Sequence, residues 1–168
     1  EQEWCAYQPL PKDYNSTPSD NLVSTLEVAS RKLSIEQTKN LLASVNEAYN
    51  TQINDILLSA LAKVLAEWTE NANVLIHLEG HGREDILENV DLSKTVGWFT
   101  SIFPVLLKIP QSEQPGQLIK SIKEKLRAIP NRGISYSILK YLCEDTSIKE
   151  QIAKIPTAEI SFNYLGQF

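Results

Sequence analysis

The run Val74-Leu75-Ile76-His77-Leu78-Glu79-Gly80-His81-Gly82-Arg83-Glu84 joins an apolar strand to a polar cluster. Val74, Ile76 and Leu78 alternate with Leu75, His77 and Glu79, the period of a strand with unlike faces. If the strand continues to residue 82, His77, Glu79 and His81 share one face. Gly80 and Gly82 then fall on the other, where missing side chains allow close backbone approach. A carboxylate between two imidazoles, on a strand face turned from the core, suits acid–base chemistry.

On either side of this strand the pattern is helical. Upstream, Ile56, Leu57, Leu58, Ala60, Leu61, Val64, Leu65 and Trp68 cover most of the circumference of a helix over 54–70, which predicts deep burial. Before it, Ser34 and Gln37 have capping-box spacing, ahead of Leu41, Leu42, Val45 and Tyr49 at helical intervals. Leu22 to Ala29 is a candidate strand, and the Pro9, Pro11 and Pro18 stretch over 8–21 reads as an extended linker.

Downstream, a loop near 83–94 leads to a β segment over 95–109, interrupted at Pro104. Pro115-Gly116 opens an amphipathic helix with Leu118, Ile119, Ile122, Leu126 and Ile129 inward and lysines outward. Pro130 to Gly133 is a turn. Helices follow over 134–143 and 147–154. A last strand, Ala158 to Tyr164, places Ile160, Phe162 and Tyr164 opposite Ser161 and Asn163. Helices between strands give an α/β (α+β sandwich) layer structure, with helices packed on a mixed sheet.

The chain has 168 residues, enough for one sizeable core. Its formal net charge of −5 argues against nucleic acid or an anionic membrane surface as the main partner. No apolar run approaches the ~20 residues that span a bilayer. Cys5 and Cys143, far apart, fit two reduced thiols in the cytoplasm. The abrupt start at Glu1 reads as a segment of something longer.

Five motifs, in order, resemble those of epimerization domains of nonribosomal peptide synthetases, relatives of condensation domains with the chloramphenicol-acetyltransferase-like fold. Asn54-Asp55-Ile56-Leu57-Leu58-Ser59-Ala60-Leu61 is similar to D-x-L-L-x-A, and Glu79 to Glu84 matches E-G-H-G-R-E. Thr95-Val96-Gly97-Trp98-Phe99-Thr100, followed by Phe103-Pro104, matches T-V-G-W-F-T and an aromatic–proline pair. Ile129 to Tyr136 resembles P-x-x-G-x-G-Y, and Phe162 to Gln167 matches F-N-Y-L-G-Q. Peptide-bond-forming condensation domains usually lack the second and fifth motifs. Lys94 stands where the family commonly has Arg, and Ser135 and Ser137 replace glycines. The H-H-x-x-x-D-G motif is absent, since the chain has only His77 and His81.

The resemblance implies the C-terminal half of such a domain, with residues 1–21 a linker from an N-terminal subdomain and 22–168 the C-terminal subdomain. It implies L-to-D epimerisation of an aminoacyl or peptidyl thioester, carried on the phosphopantetheine arm of a peptidyl carrier protein. No cofactor is bound directly. Glu79 and Tyr164 are the implied catalytic residues. His81, Arg83, Asn163, Trp98 and Tyr136 are substrate-contacting or supporting ones. The N-terminal half would supply the histidine, so the fragment alone would be inactive.

Other readings stand beside these. Glu79 in a salt bridge to Arg83 or Lys94 would be structural. His77, Glu79 and His81 also have alternate-position metal-ligand spacing, but a third strong ligand is not evident and no metal is expected. Arg83 would orient Glu79 or hold a phosphate. Trp98 and Phe99 read first as core, with one of them a possible wall of the acyl passage, and Tyr136 as a packed aromatic. The basic face of Lys120, Lys123, Lys125 and Arg127 is either a solvated helix face or a carrier-docking one. A non-catalytic carrier-docking module and a peptide-bond-forming condensation domain are the rival functions.

Overall fold

A computed structural model describes the chain except residues 1–3, 16, 18, 19, 85, 87–89, 111–113, 167 and 168, and the side chain of Cys5. Three strands, β1 (Asn73–Gly80), β2 (Ser101–Lys108) and β3 (Ser161–Phe162), form a mixed sheet in the order β2-β1-β3. Strand β1 pairs antiparallel with β2 and parallel with β3. The helices are α1 (Ile35–Leu42), α2 (Ser44–Tyr49), α3 (Ile53–Thr69), α4 (Pro115–Arg127), α5 (Ile134–Tyr141) and α6 (Thr146–Ala153).

The alternation in β1 has its expected effect. Val74, Ile76 and Leu78 enter a core with Leu58, Ala62 and Leu65 of α3 and Leu118 and Ile122 of α4. Ile76, Leu107, Leu58 and Ile122 are almost fully buried, each contributing roughly 1.5–3 kcal/mol of transfer free energy. The sheet's other face carries a smaller cluster of Leu75, Leu106 and Ala158, with Trp4 and Tyr7 packed against it.

Local signals explain several boundaries. Ser34 Oγ accepts from the Gln37 amide at 3.1 Å, and Gln37 Oε1 accepts from the Ser34 amide at 2.9 Å, so the capping box is complete. Pro115 opens α4 at a position where its missing N–H costs nothing. Pro104 lies inside β2 because β2 is an edge strand. The His77 N–H donates to the Ile160 carbonyl on the β3 side, so His77 and Pro104 form a non-hydrogen-bonded pair. The proline nitrogen therefore faces away from β1.

Four expectations are corrected. Leu22–Ala29 is not a strand: it holds a short 3-10 turn, Val23–Thr25, and is exposed. No described strand lies beside it, and an extended segment has no hydrogen bonds of its own to hold it. Helix α3 is buried on one side only, with Val64 and Trp68 more than half exposed, because the sheet and α4 cover a single face. The β segment begins at Ser101 rather than 95, and the last strand is limited to Ser161–Phe162. Cys143 is a free thiol, whereas the Cys5 side chain lies outside the described residues.

The N-terminal stretch is tied down by one carboxylate. Glu159 Oε2 accepts from the Leu10 amide at 2.7 Å and from the Tyr7 hydroxyl at 3.2 Å, and Oε1 meets Lys12 Nζ at 3.4 Å. The Leu10 N–H, ahead of the other contacts, holds Glu159 below its ordinary 4.5. Burial, then the charge of Glu159, pushes the Tyr7 phenol up to about 12. A lowered carboxyl pKa stabilises fully above pH 4.5, and that contribution is lost as pH falls through the folded-state value. Glu159→Gln should therefore accelerate hydrogen exchange at the Leu10 amide and cost about 1 kcal/mol at neutral pH, with the deficit shrinking below pH 4.5. An unchanged Leu10 exchange rate would contradict this anchoring.

Candidate active site

Glu79 is the penultimate residue of β1, on the face opposite Leu78. The parallel register aligns His77 with Ser161 and Leu78 with Phe162, which brings Asn163 level with Glu79. Asn163 Nδ2 donates to Glu79 Oε2 at 2.6 Å, a short, charge-assisted bond. The chain leaves the sheet after Phe162, ahead of left-handed Gly166, so Asn163 and Tyr164 both reach the same cleft. That departure resolves the conflict a regular strand would impose.

The cleft is about 500 Å³, within the range of small-molecule sites. Glu79, His81, Tyr164, the start of α3 at Asp55, and Arg127 and Arg132 stand around it. Asp55 is buried and caps its own helix, its Oδ2 accepting from the Gln52 amide at 2.8 Å. Among the described residues, Glu79 has no cationic partner: neither Arg83 nor Lys94 forms the salt bridge that would make it structural.

His81 lies beyond the strand that carries His77 and Glu79, though it lines the same cleft as Glu79. The strand ends at Gly80, and Gly82 turns the chain at φ +68. A Cβ at Gly82 would lie 1.6 Å from the Phe99 carbonyl oxygen, so only glycine admits this contact. The His81 Nδ1 accepts from the Arg83 amide at 3.0 Å, and Nε2 meets Glu84 Oε1 at 3.2 Å. An accepting Nδ1 leaves the ring proton on Nε2, pointing at Glu84.

Arg83 turns from Glu79 altogether. Its Nη2 donates to the carbonyls of Thr95 and Gly97 at 3.1 and 3.0 Å, and its guanidinium stands 4.7 Å from the Phe99 ring centroid. It thereby clasps the 95–99 segment to the loop after β1. Trp98, expected in the core, is 90% exposed at the tip of that segment. No described element packs over it. Tyr136 packs against the main core rather than entering the cleft.

Burial, with a smaller contribution from Lys140, pulls the His77 imidazole below its ordinary 6.5. Among the described residues no group of three His, Cys, Asp or Glu is placed to hold a metal ion. The basic face of α4 is engaged. Lys123 donates to the Tyr49 carbonyl at 2.8 Å, Arg127 to the Asn50 carbonyl at 3.2 Å, and Lys120 lies over the Tyr49 ring. No helix among the described residues is long and apolar enough to cross a membrane.

Glu84, Arg127 and Arg132 line the cleft although strand periodicity did not single them out. Gly82 carried the missing signal, since its left-handed conformation turns the chain just after β1.

Comparison with known proteins places this geometry in context. A family model described as the condensation domain matches residues 1–168. Surfactin synthase subunit 2 of Bacillus subtilis (strain 168) is 48% identical over 160 residues, 95% of this chain and 4% of that protein. Gramicidin S synthase 1 of Brevibacillus brevis is 46% identical over 159 residues, 95% of this chain and 14% of that protein. The chain thus spans a small fraction of these relatives. The solved epimerization domain from the third module of tyrocidine synthetase B is 46% identical with a TM-score of 0.73, over 81% of this chain and 30% of that one.

Two outcomes follow for stability. Gly82→Ala should cost upwards of about 2 kcal/mol in chemical denaturation, since both the left-handed φ and the Phe99 carbonyl oppose a side chain; a loss below about 0.5 kcal/mol would refute the close approach. For His77, the unfolded chain takes up a proton that the folded chain resists. Its contribution is full above pH 6.5 and is lost as pH falls from there toward the folded-state value. His77→Asn should flatten the fall in unfolding free energy below pH 6.5, and an unaltered slope would count against it.

Proposed function

The chain belongs to the condensation-domain family, and from that premise we propose that it is the C-terminal part of an epimerization domain of a nonribosomal peptide synthetase. Its substrate is an aminoacyl or peptidyl thioester on the phosphopantetheine arm of a carrier protein. The reaction removes the α-proton to leave an enolate and returns a proton to the opposite face of the same carbon.

One observation carries this reading: Glu79 stands in an open cleft, without a cation among the described residues, fixed through one oxygen. Asn163 occupies Oε2, so Oε1 remains for proton exchange with the substrate. A base or donor must be within hydrogen-bond reach of the proton it handles, and a thioester entering a 500 Å³ cleft meets that condition. Tyr164 lines the same cleft and donates its hydroxyl to the enolate oxygen, where negative charge accumulates. The group on the other face of the carbon comes from the preceding half of the domain, by resemblance the H-H-x-x-x-D-G histidine. That half and the carrier protein are the partners.

The E-G-H-G-R-E and F-N-Y-L-G-Q motifs support epimerisation over peptide-bond formation, because Glu79 and Asn163 from those two motifs meet in one hydrogen bond. The engagement of the α4 basic face with Tyr49 and Asn50 favours a solvated, structural helix face over a carrier-docking one. In the complete domain, Glu79→Gln should keep the fold and lower α-proton exchange roughly 10²- to 10⁴-fold, measured as solvent deuterium entering the carrier-bound residue. Near-normal exchange would remove Glu79 from the mechanism. The isolated chain should give no D product from a carrier-bound peptide, and robust turnover by it would overturn the division of labour.

A further inference from the structure

We propose that Glu84 is a positioning residue, joining His81 and Arg132 into a clamp that fixes the wall of the cleft beside Glu79. The inference rests on the reading of Glu79 as the working carboxylate. Glu84 Oε1 lies 3.2 Å from His81 Nε2, and Oε2 lies 3.4 Å from Arg132 Nη1. The Glu84 side chain is only 10% exposed, whereas those of His81 and Arg132 are 59% and 78% exposed. A carboxylate withdrawn from water needs its partners. Here it has one from each of two motifs far apart in sequence.

Both ends of the clamp are prepared by the backbone. The His81 ring is oriented by the Arg83 amide at Nδ1, which leaves its Nε2 proton for Glu84. Arg132 is delivered by a strained turn: Asn131 and Arg132 have φ of 47 and 49, followed by Gly133 at φ +85. L residues resist that left-handed region. The turn is pressed against the sheet, where a Cβ on Gly133 would fall 2.2 Å from the Phe103 ring. At Gly80, a Cβ would stand 3.0 Å from Ser101 Oγ and 3.8 Å from the Arg132 carbonyl oxygen.

The clamp is a partition as well as a tie. His81, Glu84 and Arg132 line the cleft that holds Glu79 and also a second cleft of about 400 Å³ that Arg83, Ile86 and Asn131 complete. These three side chains border both spaces. Glu79 is therefore bounded by Asn163 on the β3 side and by the clamp along the chain leaving β1. Opening the clamp widens the space in which the reacting carbon must be held, which penalises the rate more than binding.

The test uses the complete synthetase domain with aminoacyl carrier protein supplied in trans, following α-proton exchange with solvent. Glu84→Ala and Arg132→Ala should each lower kcat about tenfold with KM within about twofold, and the double variant should be no slower than the slower single one. Glu84→Gln, which keeps one accepting oxygen but loses the charge and the second acceptor, and Arg132→Lys, which keeps the charge but loses the fork, should recover part of the loss and serve if the alanine variants do not fold. Single effects that multiply in the double variant, an unchanged kcat, or a change confined to KM would overturn the clamp. Glu79→Gln in parallel separates the two ideas. An inactive Glu79→Gln beside uncoupled Glu84 and Arg132 sinks the clamp alone, and an active one sinks the reading beneath it.

Discussion

Strand β1 is bonded along both edges, and the rest of the molecule is arranged around that fact. Its antiparallel pairing with β2 fixes which residues point at α3 and α4, and so fixes the core. Its parallel pairing with β3 sets Asn163 level with Glu79. A slip of one residue in the first pairing would turn Val74, Ile76 and Leu78 out of the core. A slip in the second would separate the carboxylate from its amide. The same ladder thus specifies the hydrophobic layer and the polar contact at its end.

Around that end, four further segments converge. The start of α3 contributes Asp55, which caps its helix from inside the cleft wall. The loop after β1 bends at Gly82 and grips the 95–99 segment through Arg83. The turn at 130–133 is seated on Phe103, the residue that pairs with Leu78. The chain beyond β3 brings Tyr164. Much of this machinery is neither core nor chemistry but attachment. Glycines at 82 and 133 matter because backbone or an aromatic ring occupies the place of a Cβ.

The sequence carried the local rules well and the distant ones poorly. Ser34 and Gln37 could be read as a cap because the two side chains satisfy each other within one turn. The helix at Ile53–Thr69 and the strand up to Gly80 follow from apolar periodicity, a local property as well. Leu22–Ala29 has equally strand-like residues, yet a strand exists only with a neighbour, which periodicity cannot supply. Trp98 reads as core by composition but is held outward by a clasp from Arg83, twelve or more residues earlier in the chain. His81 falls beyond the strand, which ends at Gly80, and the left-handed Gly82 turns the chain after it. Glu79, Asn163 and Tyr164 were legible as motif residues. Their meeting depended on the register of a two-residue parallel strand, which no window of sequence displays.

Pro104 has a consequence beyond its own strand. The Glu79 end of the sheet is flanked by β2, and midway along β2 the outward nitrogen is a tertiary amide with no hydrogen to give. A polypeptide approaching that flank would find its ladder broken at the centre, which blocks lateral recruitment there.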